Sequence, residues 1–192
     1  MLNVIGEFLK LNSNLLFCMV VLPMVCGMLL WLFRKQSILL AITAVTAAFA
    51  NFVFALSLYF SAEFYAKLPF TAFGFEFSLR SYAFSSFFLT FTAAMFFLIA
   101  IYTLSNLRRV SYHGLYLFYL YLSVALINGA ILSENLGIML FFWEGLLCTL
   151  FGILLINNQE QPGTAVKALT ISGSADLLLM LGIILTLSLI HI

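Results

Sequence analysis

Leu136-Gly-Ile-Met-Leu-Phe-Phe-Trp-Glu-Gly-Leu-Leu-Cys-Thr-Leu-Phe-Gly-Ile-Leu-Leu-Ile156 is long enough to cross a bilayer as a helix and is apolar apart from Glu144, near its middle. A carboxylate at that depth costs roughly 2.5–3.5 kcal/mol on insertion scales. Such a group calls for a partner or a water-filled path. The next apolar run carries an acid as well, Asp176, with Lys167 at its entrance.

The rest of the chain has the same character. Of 192 residues, 65% are hydrophobic and 8% charged, against about 25% charged in soluble domains, and 22 are Phe. Segments apolar on all faces belong in lipid. About six stretches meet the length of a span: 14–33, 38–60, 81–104, 115–133, 136–156 and 166–189. The expected fold class is therefore all-α, a polytopic transmembrane helix bundle formed by residues 1–192 as a single domain. The breaks are short and polar, except for Ser61–Arg80. That segment, with Phe70, Phe73, Phe75 and Phe77, is too apolar for a free loop; it is expected either to lie along the interface or to pack over helix ends, a short hairpin around Gly74 being one form it could take. The first run ends on Arg34-Lys35 and lacks a positive leader, so it reads as a span and not as a cleaved signal.

Charge sets the orientation and excludes several functions. A net charge of +1 argues against nucleic acid as a partner. An outside amino terminus places Arg34, Lys35, Arg108, Arg109 and Lys167 on the cytoplasmic side, leaving Lys10, Lys67 and Arg80 opposite, which satisfies the positive-inside bias. Tyr112, Tyr116, Tyr119 and Tyr121 fall near one end of the fourth run and read mostly as an interfacial aromatic belt, and His113 as a solvated loop histidine. Cys18, Cys26 and Cys148 lie inside apolar runs with no metal spacing and read as small hydrophobes. No glycine-rich phosphate loop, CxxC pair or HExxH motif is present, so no cofactor and no metal site is expected in this chain.

The candidate site is the set of charged groups within the fifth and sixth runs. One helical turn from Glu144 stand Leu140, Phe141, Leu147 and Cys148, which offer it no partner on its own helix. Gly145, Cys148 and Gly152 form a small-residue seam that predicts close approach of another helix beside Glu144. Lys167 and Asp176 are nine residues apart, about 14 Å along a helix and on nearly opposite faces, so they cannot pair with each other. Asp176 shares its face with Ser172 and Gly173, and Asn128 is a further polar group at membrane depth. The alternative reading makes both acids inert hydrogen-bonding groups that lock helices together.

Phe142-Trp143-Glu144-Gly145-Leu146, in a helix that follows Glu134-Asn135-Leu136, resembles the fifth-helix motif of the antiporter-like subunits of respiratory complex I. Lys167-Ala168, followed by Gly173 and Asp176, resembles the next helix of that family, as does Leu79-Arg80-Ser81 leading into the third helix with Tyr102 near its end. The likeness is densest from about Phe77 to Gly182. The family includes subunits of proton-pumping NADH:quinone oxidoreductase, of Mrp-type sodium/proton antiporters and of membrane-bound hydrogenases. The resemblance implies a larger bundle of about fourteen spans with two inverted repeats. It also implies a proton-conducting role for Glu144, a tuning role for Asp176 and a place on the same proton path for Lys167, which matches a family lysine at the start of that helix, with Gly145 and Gly173 packing near them. The lysine partner of Glu144 would lie on the family's seventh helix. Partners would be other membrane subunits of a multisubunit redox complex, the lipid bilayer, and protons or Na+, in a prokaryotic inner membrane. Ser172-Gly173-Ser174 replaces an arginine frequent in complex I members, which points to the hydrogenase or a divergent branch. The expectation is of an amino-terminal fragment, since the family's broken seventh helix would follow, with residues 187–192 reading as an artefactual end. A sodium/proton antiporter subunit and a structural or assembly protein without transport are the rival readings.

Overall fold

The computed structural model describes residues 2–34, 37–61, 63–72, 75–106, 113–157 and 162–190. It contains α1 (Leu2–Leu32), α2 (Ser37–Tyr59), β1 (Phe64–Ala72), β2 (Phe75–Ser81), α3 (Ala83–Asn106), α4 (His113–Leu132), α5 (Leu136–Asn157) and α6 (Pro162–Ile190). All six of these helices are long and apolar enough to cross a membrane. The protein is thus an all-helical, multi-pass membrane bundle with one short hairpin. Helices dominate because, in lipid, a helix satisfies its backbone N–H and C=O groups within one segment. Lys35, Gly74, Arg108, Arg109, Tyr112, His191 and Ile192 lie outside the described residues.

Helix α4 is the centre of the bundle. It packs chiefly against α1 and α5 and touches α3 only lightly, while α2 pairs with α3 and α6 lies on α5. Between lipid-soluble helices, association depends on close van der Waals fit and interhelical hydrogen bonds. At Gly27 an added Cβ would sit 3.1 Å from Tyr121 Cβ and 3.3 Å from the Phe118 carbonyl oxygen, so the missing side chain lets α1 approach α4. Tyr121 is fully buried there and its hydroxyl donates to the Ala44 carbonyl of α2, with its ring edge-on to Phe96. Tyr121 is therefore a core residue and not part of an interfacial belt: burying the ring requires an acceptor for its O–H, and α2 supplies one. His113 is also corrected. It opens α4 and is 7% exposed, because the helix begins at His113 and its neighbour Gly114 packs under Arg34.

One hydrogen-bond set joins three helices at the bundle centre. Pro23, inside α1, has no N–H to give the carbonyl four residues earlier, which is that of Met19. Asn128 of α4 takes its place: Nδ2 donates to the Met19 carbonyl at 2.7 Å and to Asn51 Oδ1 of α2 at 3.0 Å. Asn128 and Asn51 are each 1% exposed. Proline is tolerated inside a membrane helix when a neighbour satisfies the freed carbonyl. Replacing Asn128 by Leu is expected to lower stability by about 1–2 kcal/mol in reversible denaturation in micelles. Pro23→Ala, which restores an N–H for Met19, should recover part of that loss. Strict additivity of the two changes would refute the link.

The hairpin caps one end of the bundle. Strand β1 pairs antiparallel with β2, from Phe64↔Ser81 to Ala72↔Phe75, with an irregularity between Lys67 and Thr71. Its buried side chains Phe64, Ala66 and Leu79 join Leu16, Leu58 and Leu132 in one core cluster. Strand β2 is tied to the α4–α5 connection by a bridge between Leu79 and Ser133 and by Glu134 N–H donating to the Ser78 carbonyl at 3.2 Å. Arg80 holds Glu63 at 3.0 Å and lies 4.0 Å from Glu134. The hydrogen bond to Glu63, then its charge, raises the Arg80 pKa above its ordinary value. The following helices start on side-chain caps. The Tyr82 N–H donates to Ser85 Oγ at the head of α3, and the Ile138 N–H donates to Asn135 Oδ1 at the head of α5.

The ring of Phe142 occupies the space left by Gly129 on α4, where an added Cβ would stand 2.4 Å from it. On its other side the ring meets Phe77 edge-on at 5.9 Å, which restricts its retreat from α4. Gly129→Ala is expected to destabilise the α4–α5 pair by about 1–3 kcal/mol, read as a lowered unfolding midpoint. An unchanged midpoint would show that Phe142 can yield.

Candidate functional site

Residues Ile138, Phe142, Thr149, Gly152 and Ile156 recur at helical spacing and are the buried face of α5. This face lies on α4, where Phe142 meets Gly129, Gly145 meets Leu126 and Gly152 meets Tyr119. Ser123 Oγ and Thr149 Oγ1 add a hydrogen bond across the pair at 2.8 Å. The seam of Gly145 and Gly152 thus brings in α4, while Cys148 is exposed. Glu144 is not served by that seam, contrary to the expectation from spacing. It stands about 200° round the helix from Phe142, on the side of α5 turned from α4. Its side chain is half-buried and meets no hydrogen-bond donor or cation among the described residues.

Helix α6 touches α5 through Ser172, Gly173, Ala175 and Asp176. Here Trp143 Nε1 donates to Asp176 Oδ1 at 2.9 Å, joining two helices at mid-span. Leu147 passes 3.9 Å from where a Gly173 Cβ would be, so Gly173 leaves ordinary contact space and no clash. Trp143, Leu146, Leu147, Leu150, Ser172, Ala175 and Asp176 line a cleft of about 270 Å³ between the two helices. Lys167 is exposed and, half a helical turn from the α5-facing side, points away from this cleft. The structure therefore brings Asp176 to the residue next to Glu144 and keeps Lys167 apart.

Trp143 is the participant that sequence reasoning passed over. The available signal was an indole N–H inside an apolar run, since a Trp at that depth calls for an acceptor. The fifth and sixth runs carry two acids, Glu144, its neighbour, and Asp176, 33 residues on, and the fold selects the second. Among the described residues no group of three or more His, Cys, Asp or Glu is placed to hold a metal ion.

No protein-family model matches this sequence, and no curated protein matches it significantly. Membership of a bilayer-spanning class rests on the helices themselves.

A double-mutant cycle tests the α5–α6 link. With Trp143→Phe and Asp176→Asn, the coupling measured by unfolding in micelles is expected at about 0.5–1.5 kcal/mol, the range of interhelical hydrogen bonds in membranes. A coupling near zero would mean that the two side chains do not depend on each other.

Proposed function

We propose that this chain is part of a proton-translocating membrane subunit of a complex-I-like NADH:quinone oxidoreductase or membrane-bound hydrogenase. In this reading Glu144 is the group that takes up and releases the proton. The observation that carries it is a mid-span carboxylate, half-buried on the side of α5 turned from α4, with no partner among the described residues. A purely structural acid would be expected to face a donor, as Asp176 faces Trp143.

Protonation exchange at Glu144 responds to the charges around it. The carboxyl group of Asp176 sits on the adjacent helix, held in place by the indole of Trp143. Lys167 is exposed on the far face of α6, where in this reading it would meet a group outside this chain. The redox chemistry belongs to other subunits of the assembly. The chain would sit in a prokaryotic inner membrane with its amino terminus outside, the orientation that the Lys and Arg distribution favours.

Glu144→Gln in the intact assembly is expected to reduce proton translocation at least tenfold, measured by fluorescence quenching in inverted membrane vesicles. Glu144→Asp should retain part of it. Wild-type translocation by the glutamine variant would defeat the assignment, and dependence on Na+ in the unaltered assembly would move the reading to a sodium/proton antiporter.

A further inference from the structure

At the hairpin end of the bundle, the start of α3 and the last turn of α4 leave a groove of about 240 Å³, lined by Tyr82, Phe84, Ser85, Phe88 and Ile131. It lies where two spans end, Ala83–Thr103 and His113–Leu132. Its walls are apolar or already bonded: the Ser85 hydroxyl accepts from the Tyr82 N–H at 3.0 Å and donates to the Tyr82 carbonyl at 3.1 Å. The rings of Tyr82 and Phe84 stack at 6.5 Å, and Phe84 is 65% exposed. Exposed aromatic rings at the end of a span mark the level of the lipid head groups.

Both walls lead outward to exposed charge. Two residues before Tyr82 stands Arg80, and three residues after Ile131 stands Glu134, just beyond the end of α4. Tyr82 joins the two regions, since it lines the groove and its phenol lies near enough to bear on the Arg80 charge. The guanidinium hydrogen-bonds Glu63 at 3.0 Å and stays 4.0 Å from Glu134, to which it gives no hydrogen bond. An arginine carries five N–H donors, so Arg80 retains donors for a further anion. One cation thus faces two carboxylates, and Glu134 is the less engaged of them. Lys67 lies two residues along β1 from Tyr65, the partner of Arg80 in the hairpin, on the side away from the groove.

We propose that this groove and its charged mouth bind a zwitterionic phospholipid, one whose head group carries an ammonium beyond the phosphate. The upper part of an acyl chain lies against Phe84, Phe88 and Ile131. The phosphate accepts from Arg80, a pairing that suits the planar guanidinium. The ammonium meets Glu134 and the face of Tyr82, an aromatic ring being a favourable neighbour for a cation. The site and the lipid share one order along the membrane normal, apolar below and charged above. An anionic phospholipid would fill the groove equally well, but it brings a negative charge to a cluster already in excess of acid and offers no cation to Glu134. The proposal is independent of any role for Glu144.

The test uses the full chain in bilayers of phosphatidylethanolamine and phosphatidylglycerol in equal amounts. A trace of either lipid carries a diazirine in the upper part of its acyl chain, and photolabelled peptides are mapped by mass spectrometry. The ethanolamine probe is expected to label the Tyr82–Phe88 and Ile131–Glu134 segments about fivefold more than the glycerol probe, the ratio for an exposed ion pair of about 1 kcal/mol. Other lipid-facing segments should take the two probes equally. Glu134→Gln should bring the ratio at the groove close to unity, and Arg80→Gln should lower labelling there by both probes. Equal labelling of these segments by the two probes, or a preference for the glycerol probe, would overturn the proposal and leave ordinary lipid contact. The comparison in the unaltered protein decides the matter even if a variant does not fold.

Discussion

The carbonyl of Met19 is left without its helical donor by Pro23, and the carboxamide of Asn128 restores the bond from another helix. In water such a carbonyl could be solvated. In a bilayer it must find a protein donor, and an unsatisfied backbone group there costs several kcal/mol. This constraint places α4 against α1 at one height and one rotation. Asn51 then adds α2 to the same set, and the absence of a side chain at Gly27 allows the distance to close. The positions of α5, the hairpin and α6 follow from where α4 is held.

From α4 the order of assembly continues outward with falling contact. Helix α5 fits it closely through glycines that receive aromatic rings: Gly129 receives Phe142 and Gly152 receives Tyr119. The hairpin closes over the end of this pair, with Phe77 against Phe142 and Arg80 between two glutamates. Among the described residues helix α6 is attached chiefly to α5, through a cleft and an indole–carboxylate bond, and exposes Leu177, Leu178, Leu181 and Leu185 to its surroundings. The firmly packed part of the protein thus supports a lightly attached helix that carries both Lys167 and Asp176.

The two acids differ in a way that composition could not reveal. Asp176 has a specific donor and faces inward to α5, while Glu144, one residue from that donor, faces the other way. Adjacent residues on a helix point about 100° apart, so Trp143 reaches the Asp176 carboxylate of α6 while Glu144, the next residue, is turned from it. The proton-transfer reading depends on this difference, since a titrating group needs freedom to exchange its proton and a locking group does not. The opposite faces of Lys167 and Asp176 follow from the same arithmetic, and the exposure of Lys167 agrees with it.

The amino-acid sequence by itself determined the class of the fold, an all-helical bundle of membrane-crossing segments, because the length of an apolar run and the polarity of its flanks act locally. It also determined that Lys167 could not reach Asp176, since one helix fixes their spacing. Only the tertiary structure decided that His113 and Tyr121 are buried, that Gly145 and Gly152 serve α4 and not Glu144, and that Trp143 holds Asp176. Each of these depends on which face of a helix meets which neighbour. In helices that are apolar all round, periodicity carries no mark of the inner face. The choice falls to side-chain shape and to scattered polar groups, such as Asn128 with the carbonyl that Pro23 frees, whose partners lie far away in sequence.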